Sequence, residues 1–278
     1  MTPQIEGSRR TFLTAATAAG FTLAVRPLAA ETIITPDDGL ETAMVEVKGT
    51  LGTVQAYRAK PKGVEKPPVI VVIHEIFAVH EHIKDICRRL AKLGYYAIAP
   101  DLFARFGDAT KVTDFKILIN DFAAKVTDDQ AMADVDAAVS FAKADGGDTA
   151  RLGITGFCWG GRITWLYAEH NPALKAAVAW YGKVAGDPTP NQPKSVIELA
   201  KELKAPVLGL YGAADTGIPV STLDELKNVA TLAGKTVEFV VYPDTPHAFF
   251  ADYRQSYTEA SAKNGWNRMK DWFKSNGV

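Results

Sequence analysis

Apolar and polar positions change their period repeatedly along the chain, and each change marks an element. Ala43 to Lys48 and Thr53 to Ala59 alternate around Gly49-Thr50-Leu51-Gly52, a period of two that predicts a β-hairpin. After Pro67-Pro68, the run Val69 to Ile73 is apolar throughout, as a strand covered on both faces must be. His74-Glu75 ends it abruptly. Helical spacing over Glu81 to Leu93 follows, then Gly94 and a second apolar strand, Tyr95 to Ala99. Asp114 to Lys125 and Asp128 to Lys143 read as amphipathic helices, each opened by an aspartate suited to the cap or the helix dipole. A short apolar strand leads to Cys158, and a helix runs on to about Glu169 before His170-Asn171-Pro172 stops it. Strands at Ala176–Tyr181, Val207–Tyr211 and Thr236–Tyr242 alternate with helices at Lys194–Leu203 and Val220–Leu232. A Gly/Pro-rich loop spans Gly182 to Pro193, and Asp252 to Phe273 reads as one long closing helix.

Strands that alternate with helices, most of them apolar throughout, predict an α/β protein: a mostly parallel central sheet with helices on both faces. Ligands in such sheets bind beyond the carboxyl ends of the strands. His74-Glu75, Pro100-Asp101, Cys158, Tyr181, Asp215 and His247 all fall at that edge.

Composition changes this picture little. With 278 residues, 47% of them hydrophobic, the chain can bury one large core, and residues 31–278 read as a single domain. A formal net charge of -1, with no basic block, offers nucleic acid no electrostatic footprint and favours a small-molecule partner. Residues 1–30 differ in kind: Ser8-Arg9-Arg10-Thr11-Phe12-Leu13 precedes an Ala/Thr/Leu stretch and then Arg26-Pro27-Leu28-Ala29-Ala30. This is the pattern of a twin-arginine signal peptide, with an apolar middle too short to span a bilayer comfortably. It predicts export by the twin-arginine machinery to the periplasm and no membrane attachment after signal removal. No metal or cofactor is expected.

The chemistry centres on R-L-G-I-T-G-F-C-W-G-G, Arg151 to Gly161. Cys158 between Gly156 and Gly160, after a strand and before a helix, fits the G-x-nucleophile-x-G elbow with cysteine in place of serine. The helix N-terminus beyond it favours a thiolate and offers backbone N–H groups to an oxyanion. The chain's other cysteine, Cys87, sits among Ile83, Ile86, Leu90 and Ala91 at helical spacing. It reads as packing, so two free thiols are expected. A thiol-redox protein using Cys87 and Cys158, or a non-catalytic binding protein on the same fold, are the competing readings.

A cysteine nucleophile needs a base and a group that orients it. Of five histidines, His170 lies about 18 Å up the elbow helix at 1.5 Å per residue. His74, His80 and His82 precede the nucleophile, whereas this architecture runs nucleophile, acid, histidine. His247, in the loop after the last strand, remains. Among the carboxylates between, Glu198, Glu202, Asp224 and Glu225 fall in predicted helices, and Asp187 and Glu238 in a loop and a strand. Asp215 follows its strand by a short glycine turn at the correct edge, and Asp244, close to His247 in sequence, is the alternative.

The blocks H-E-I-F-A-V-H-E-H-I-K-D, Y-A-I-A-P-D-L-F-A-R and G-F-C-W-G-G, with the later A-A-D and P-H-A-F-F, resemble the dienelactone hydrolase family of α/β-hydrolases over nearly all of the chain after residue 30. The resemblance implies a carboxymethylenebutenolidase-type hydrolase of small esters or lactones working through a thioester, with a broader carboxylesterase or thioesterase as the alternative. It implies Cys158 as nucleophile, Asp215 as acid and His247 as base. Glu75 is then an extra carboxylate that contacts the thiol region and changes partners when substrate binds. Backbone N–H groups of Ile76 and Trp159 are implied as the oxyanion hole. The family's dienelactone enzymes hold a substrate carboxylate with two arginines. Arg105 matches the first, while Ala251 stands at the second, four residues after His247, with Arg254 three further on in a structural role. Phe77, Tyr181 and Phe249, with Phe103, Trp159 and Trp180, are the expected apolar lining.

Overall fold

Eight strands form one sheet in the order β1-β2-β4-β3-β5-β6-β7-β8 in the computed structural model, which describes residues 32–278. The proposed signal peptide lies outside the described residues. β1 (Leu40–Gly49) and β2 (Gly52–Pro61) form the antiparallel hairpin, and β2 pairs antiparallel with β4 (Tyr96–Pro100). β3 (Pro68–Ile73), β4, β5 (Asp148–Phe157), β6 (Ala176–Trp180), β7 (Val207–Gly212) and β8 (Val237–Tyr242) run parallel. This is the expected α/β-hydrolase architecture. The uninterrupted apolar runs at β3, β4 and β6 are buried on both faces. The main helices are α1 (Glu81–Lys92), α2 (Asp128–Ala144), α3 (Trp159–His170), α4 (Val220–Leu232) and α5 (Glu259–Ser275). Alternation along β5 shows the layering: a Cβ at Gly153 would stand 2.9 Å from Phe273 of α5, whereas one at Gly156 would strike the Gly160 carbonyl of α3. Among the described residues no helix is long and apolar enough to cross a membrane.

Two predicted helices are corrected. Asp114 to Lys125 is a single turn at Phe115–Ile117 followed by a π-helical turn, Leu118–Ala123, in which Ala124 N–H reaches back five residues to the Ile119 carbonyl. The wider turn buries both Leu118 and Phe122, the latter against Phe103. The closing helix begins at Glu259 rather than Asp252. Residues 252–258 instead make successive three-residue turns, Arg254 N–H to the Ala251 carbonyl and Tyr257 N–H to that of Arg254. Asp252, Arg254 and Ser256 point inward, with Asp252 on Arg89 at 2.6 Å and Arg254 on Glu75 at 3.4 Å. A regular helix could not direct these neighbours to those partners.

Candidate active site

The elbow is built as its glycines require. Cys158 caps α3 at φ 55°, ψ -115°, a left-handed conformation that costs a non-glycine residue about 1–3 kcal/mol. Its N–H donates to the Trp180 carbonyl at 3.0 Å, which fixes the turn against β6. A Cβ at Gly160 would strike the His74 and Ile73 carbonyls, so the first turn of α3 lies directly on the end of β3. Only glycine permits that approach. The close seating sets the first turn of α3, which Trp159 opens, against the end of β3, three residues before Ile76. His74 holds the β3 end in place: its Nδ1–H donates to the Glu75 carbonyl at 2.5 Å and its Nε2 accepts from Leu102 N–H at 3.1 Å. Burial lowers its proton affinity, consistent with a neutral ring locked as this tautomer.

The loops after β7 and β8 bring acid and base to the same edge. A Cβ at Gly212 would strike the Thr245 carbonyl, so the two loops touch. Asp215 Oδ2 then accepts from His247 Nδ1 at 2.5 Å, and Oδ1 from Gly217 N–H at 2.9 Å. Asp244, the other candidate acid, is exposed at φ 50°. Burial disfavours a charged His247, yet negative charge on the Cys158 sulfur, the Asp215 hydrogen bond and a hydrogen bond to Cys158 outweigh it. The imidazole is raised to about 10. The three groups thus sit in one buried chain suited to a thiolate–imidazolium pair with a carboxylate behind it.

Glu75, 1% exposed, belongs to a second buried cluster. Its Oε2 accepts from Tyr253 Oη at 2.7 Å and pairs with Arg254 Nη2 at 3.4 Å and His80 Nε2 at 3.5 Å. Burial would favour the neutral acid, but Arg254 and then His80 hold the carboxyl well below its ordinary range. Its Oε1 has no hydrogen-bond partner among the described residues. Arg254 also stacks on Phe77 at 4.5 Å and feels charge on Cys158, which places it between the two clusters. Nothing local in the sequence marks Tyr253 or His80 for this cluster, and Arg254 is expected there only in a structural role: Tyr253 and Arg254 fall in an expected helix, and His80 precedes the nucleophile in chain order.

Other expected residues are placed elsewhere or differently. Arg105 is not open to the site: its guanidinium grips Asp134 of α2 and the Leu51 carbonyl at the hairpin turn. Ala251 is fully buried. Phe103, Trp180 and Phe249 are core residues, Phe249 backing the Tyr181 ring at 5.3 Å, while Phe77 and Trp159 are partly exposed. His170 is bonded to Asp136 at 2.7 Å on the α2–α3 contact. Cys87 and Cys158 are both free, and burial pushes the Cys87 thiol up, away from reactivity. Among the described residues no group of His, Cys, Asp or Glu could hold a metal ion.

Comparison with known proteins places the chain in a family. The model of the dienelactone hydrolase family matches residues 54–277. A Methylorubrum extorquens protein provisionally named a carboxymethylenebutenolidase is 56% identical over 273 residues, covering 98% of this chain and 94% of its own. One of the same name from Escherichia coli K12 is 51% identical over 259 residues, covering 93% and 96%. A Klebsiella pneumoniae crystal structure, provisionally titled a dienelactone hydrolase, superposes with a TM-score of 0.83 at 51% identity, covering 84% of this chain and 98% of that one. The chain belongs to the dienelactone hydrolase family and is a carboxylic ester hydrolase of α/β-hydrolase fold.

Proposed function

We propose that this hydrolase opens small esters and lactones, including carboxymethylenebutenolide-type lactones, by nucleophilic attack of Cys158. The carrying observation is the strained elbow cysteine joined to the His247–Asp215 pair. The thiolate attacks the carbonyl carbon; the developing oxyanion is met by the Ile76 and Trp159 N–H groups. The carbon–oxygen bond breaks, and the leaving oxygen takes the proton from the His247 imidazolium. Water deprotonated by His247 then hydrolyses the thioester. Glu75 exchanges partners during this cycle: a substrate carboxylate competes for Arg254 and releases Glu75 towards the thiol. Aryl esters and a panel of lactones, assayed with wild type, Cys158→Ala and His247→Ala, test the reading. Turnover that survives both substitutions removes the mechanism.

Arg105 tied to Asp134 and alanine at position 251 leave Arg254, among the described residues, as the one arginine at the Glu75 cluster. That supports a range broader than anionic lactones, extending to uncharged carboxylesters and thioesters. Export to the periplasm through the twin-arginine machinery is part of the same proposal. Cell fractionation of the full chain against an Arg9→Lys/Arg10→Lys variant tests it; equal periplasmic yield from both would contradict it.

A further inference from the structure

Four tyrosines are buried to below 2% exposure: Tyr96, Tyr167, Tyr181 and Tyr211. Three donate normally, Tyr96 to Asp145, Tyr167 to Asp136 and Tyr211 to the Gly182 carbonyl, each at 2.9 Å. Among the described residues, Tyr181 alone of these four has a hydroxyl with no hydrogen-bond partner. Phenylalanine would supply the same ring packing without burying an unpaired oxygen, so packing does not account for the hydroxyl. Nor does the backbone: Tyr181 follows β6 at φ 38°, where few non-glycine residues sit.

That strained position aims the side chain into the reaction centre. The ring stands edge-on to the His247 imidazole, centroids 5.1 Å apart. Burial raises the phenol well above its ordinary value, and the charges of Glu75 and Cys158 raise it further against Arg254. The hydroxyl therefore keeps its proton and can serve as a donor.

We propose that the Tyr181 hydroxyl is a catalytic hydrogen-bond donor to the leaving-group oxygen of the ester or lactone, an inference that rests on the Cys158 thioester reading. The carbonyl oxygen already faces the N–H pair at the elbow. The oxygen that His247 must protonate lies on the imidazole side, where Tyr181 packs. As the sulfur–carbon bond forms and the carbon–oxygen bond breaks, the electron pair goes to the leaving oxygen. The proton comes from His247, while Tyr181 retains its own and stabilises the developing negative charge. This matters most for poor leaving groups, so the site is adapted to aliphatic esters and lactones, whose leaving oxygens are strongly basic.

The test compares wild type, Tyr181→Phe and Cys158→Ala on acetates whose leaving groups run from p-nitrophenol through phenol to an aliphatic alcohol. Tyr181→Phe is expected to lower kcat/KM by on the order of 10²-fold on the aliphatic ester and to leave the p-nitrophenyl ester nearly unchanged. Its Tm should equal or exceed that of wild type, because an unpaired buried hydroxyl is removed. A loss equal across the series, no loss on the aliphatic ester, or a lowered Tm with uniform loss would overturn the proposal. Cys158→Ala separates the two ideas: it should be inactive on every ester, and activity there would contradict the nucleophile whatever the Tyr181 slope shows.

Discussion

Two buried charge clusters meet at the sheet edge, and they are built on opposite principles. Cys158, His247 and Asp215 each stand on a loop leaving a different strand, and their coupling raises a base to about 10. Glu75, Arg254, Tyr253 and His80 surround a carboxylate with cationic and hydroxyl partners and depress it. One cluster keeps a proton ready to donate; the other keeps an acid ionised in a nearly water-free place. Arg254, which responds to both Glu75 and Cys158, is where they can communicate. A buried ion pair adds little net stability by itself, and under the proposed function this one acts on the chemistry at the sulfur.

Breaking the first cluster should have the largest effect. Cys158→Ala and His247→Ala should each lower kcat by on the order of 10⁴-fold or more, and Asp215→Asn by a comparable factor, with circular dichroism unchanged. Steady-state assays check this directly, and near-normal turnover in Asp215→Asn would assign the orienting role elsewhere.

Breaking the second should be felt first in stability. Arg254→Met leaves Glu75 as an uncompensated buried carboxylate and should cost about 3–5 kcal/mol in urea unfolding. Adding Glu75→Gln to that variant should restore most of the loss, because the charge and its partner leave together. Failure of the second substitution to rescue would mean that Arg254 stabilises through its stacking on Phe77 instead.

The clusters should also separate on the pH axis. His247 binds its proton more tightly when folded, so its contribution is complete below about 6.5 and is lost as pH rises to about 10. Glu75 is displaced the other way: its contribution is present above about 4.5 and lost as pH falls towards its depressed folded value. Asp215→Asn should therefore flatten the alkaline limb of the stability curve, and Glu75→Gln the acid limb. Denaturation midpoints across pH check both, and the reverse assignment would dissolve the distinction. The smallest effect is expected at Cys87, which lies in neither cluster. Cys87→Ser should cost about 1–3 kcal/mol for a buried unpaired hydroxyl and leave kcat/KM untouched.

The contrast also explains what was legible in the chain. Cys158, Asp215 and His247 could be placed at one edge because each follows an apolar strand, and strand ends converge by topology: Cys158 after β5, Asp215 after β7, His247 after β8. Glu75 at the end of β3 could be placed at the edge on the same basis, but its partners could not. Tyr253 and Arg254 continue an amphipathic period that looks helical, and only the tertiary pull of Glu75, Arg89 and His82 turns that segment inward. Positive φ at Ala78, Tyr181, Asp244 and Ala248 has no signature in residues that are not glycine, so the loop shapes around the site were silent. Arg105 shows the converse. Its motif position suggested a substrate contact, yet Asp134, one of several carboxylates on α2, takes its guanidinium.

The most direct test of the central claim is mass spectrometry of enzyme acid-quenched within the first turnover of p-nitrophenyl acetate, followed by peptide mapping. An acetyl group on the Cys158 peptide, formed and discharged at rates compatible with kcat and absent in Cys158→Ala, is the predicted result. Full turnover with no adduct on Cys158, or an adduct on another residue that forms as fast as product, would contradict it.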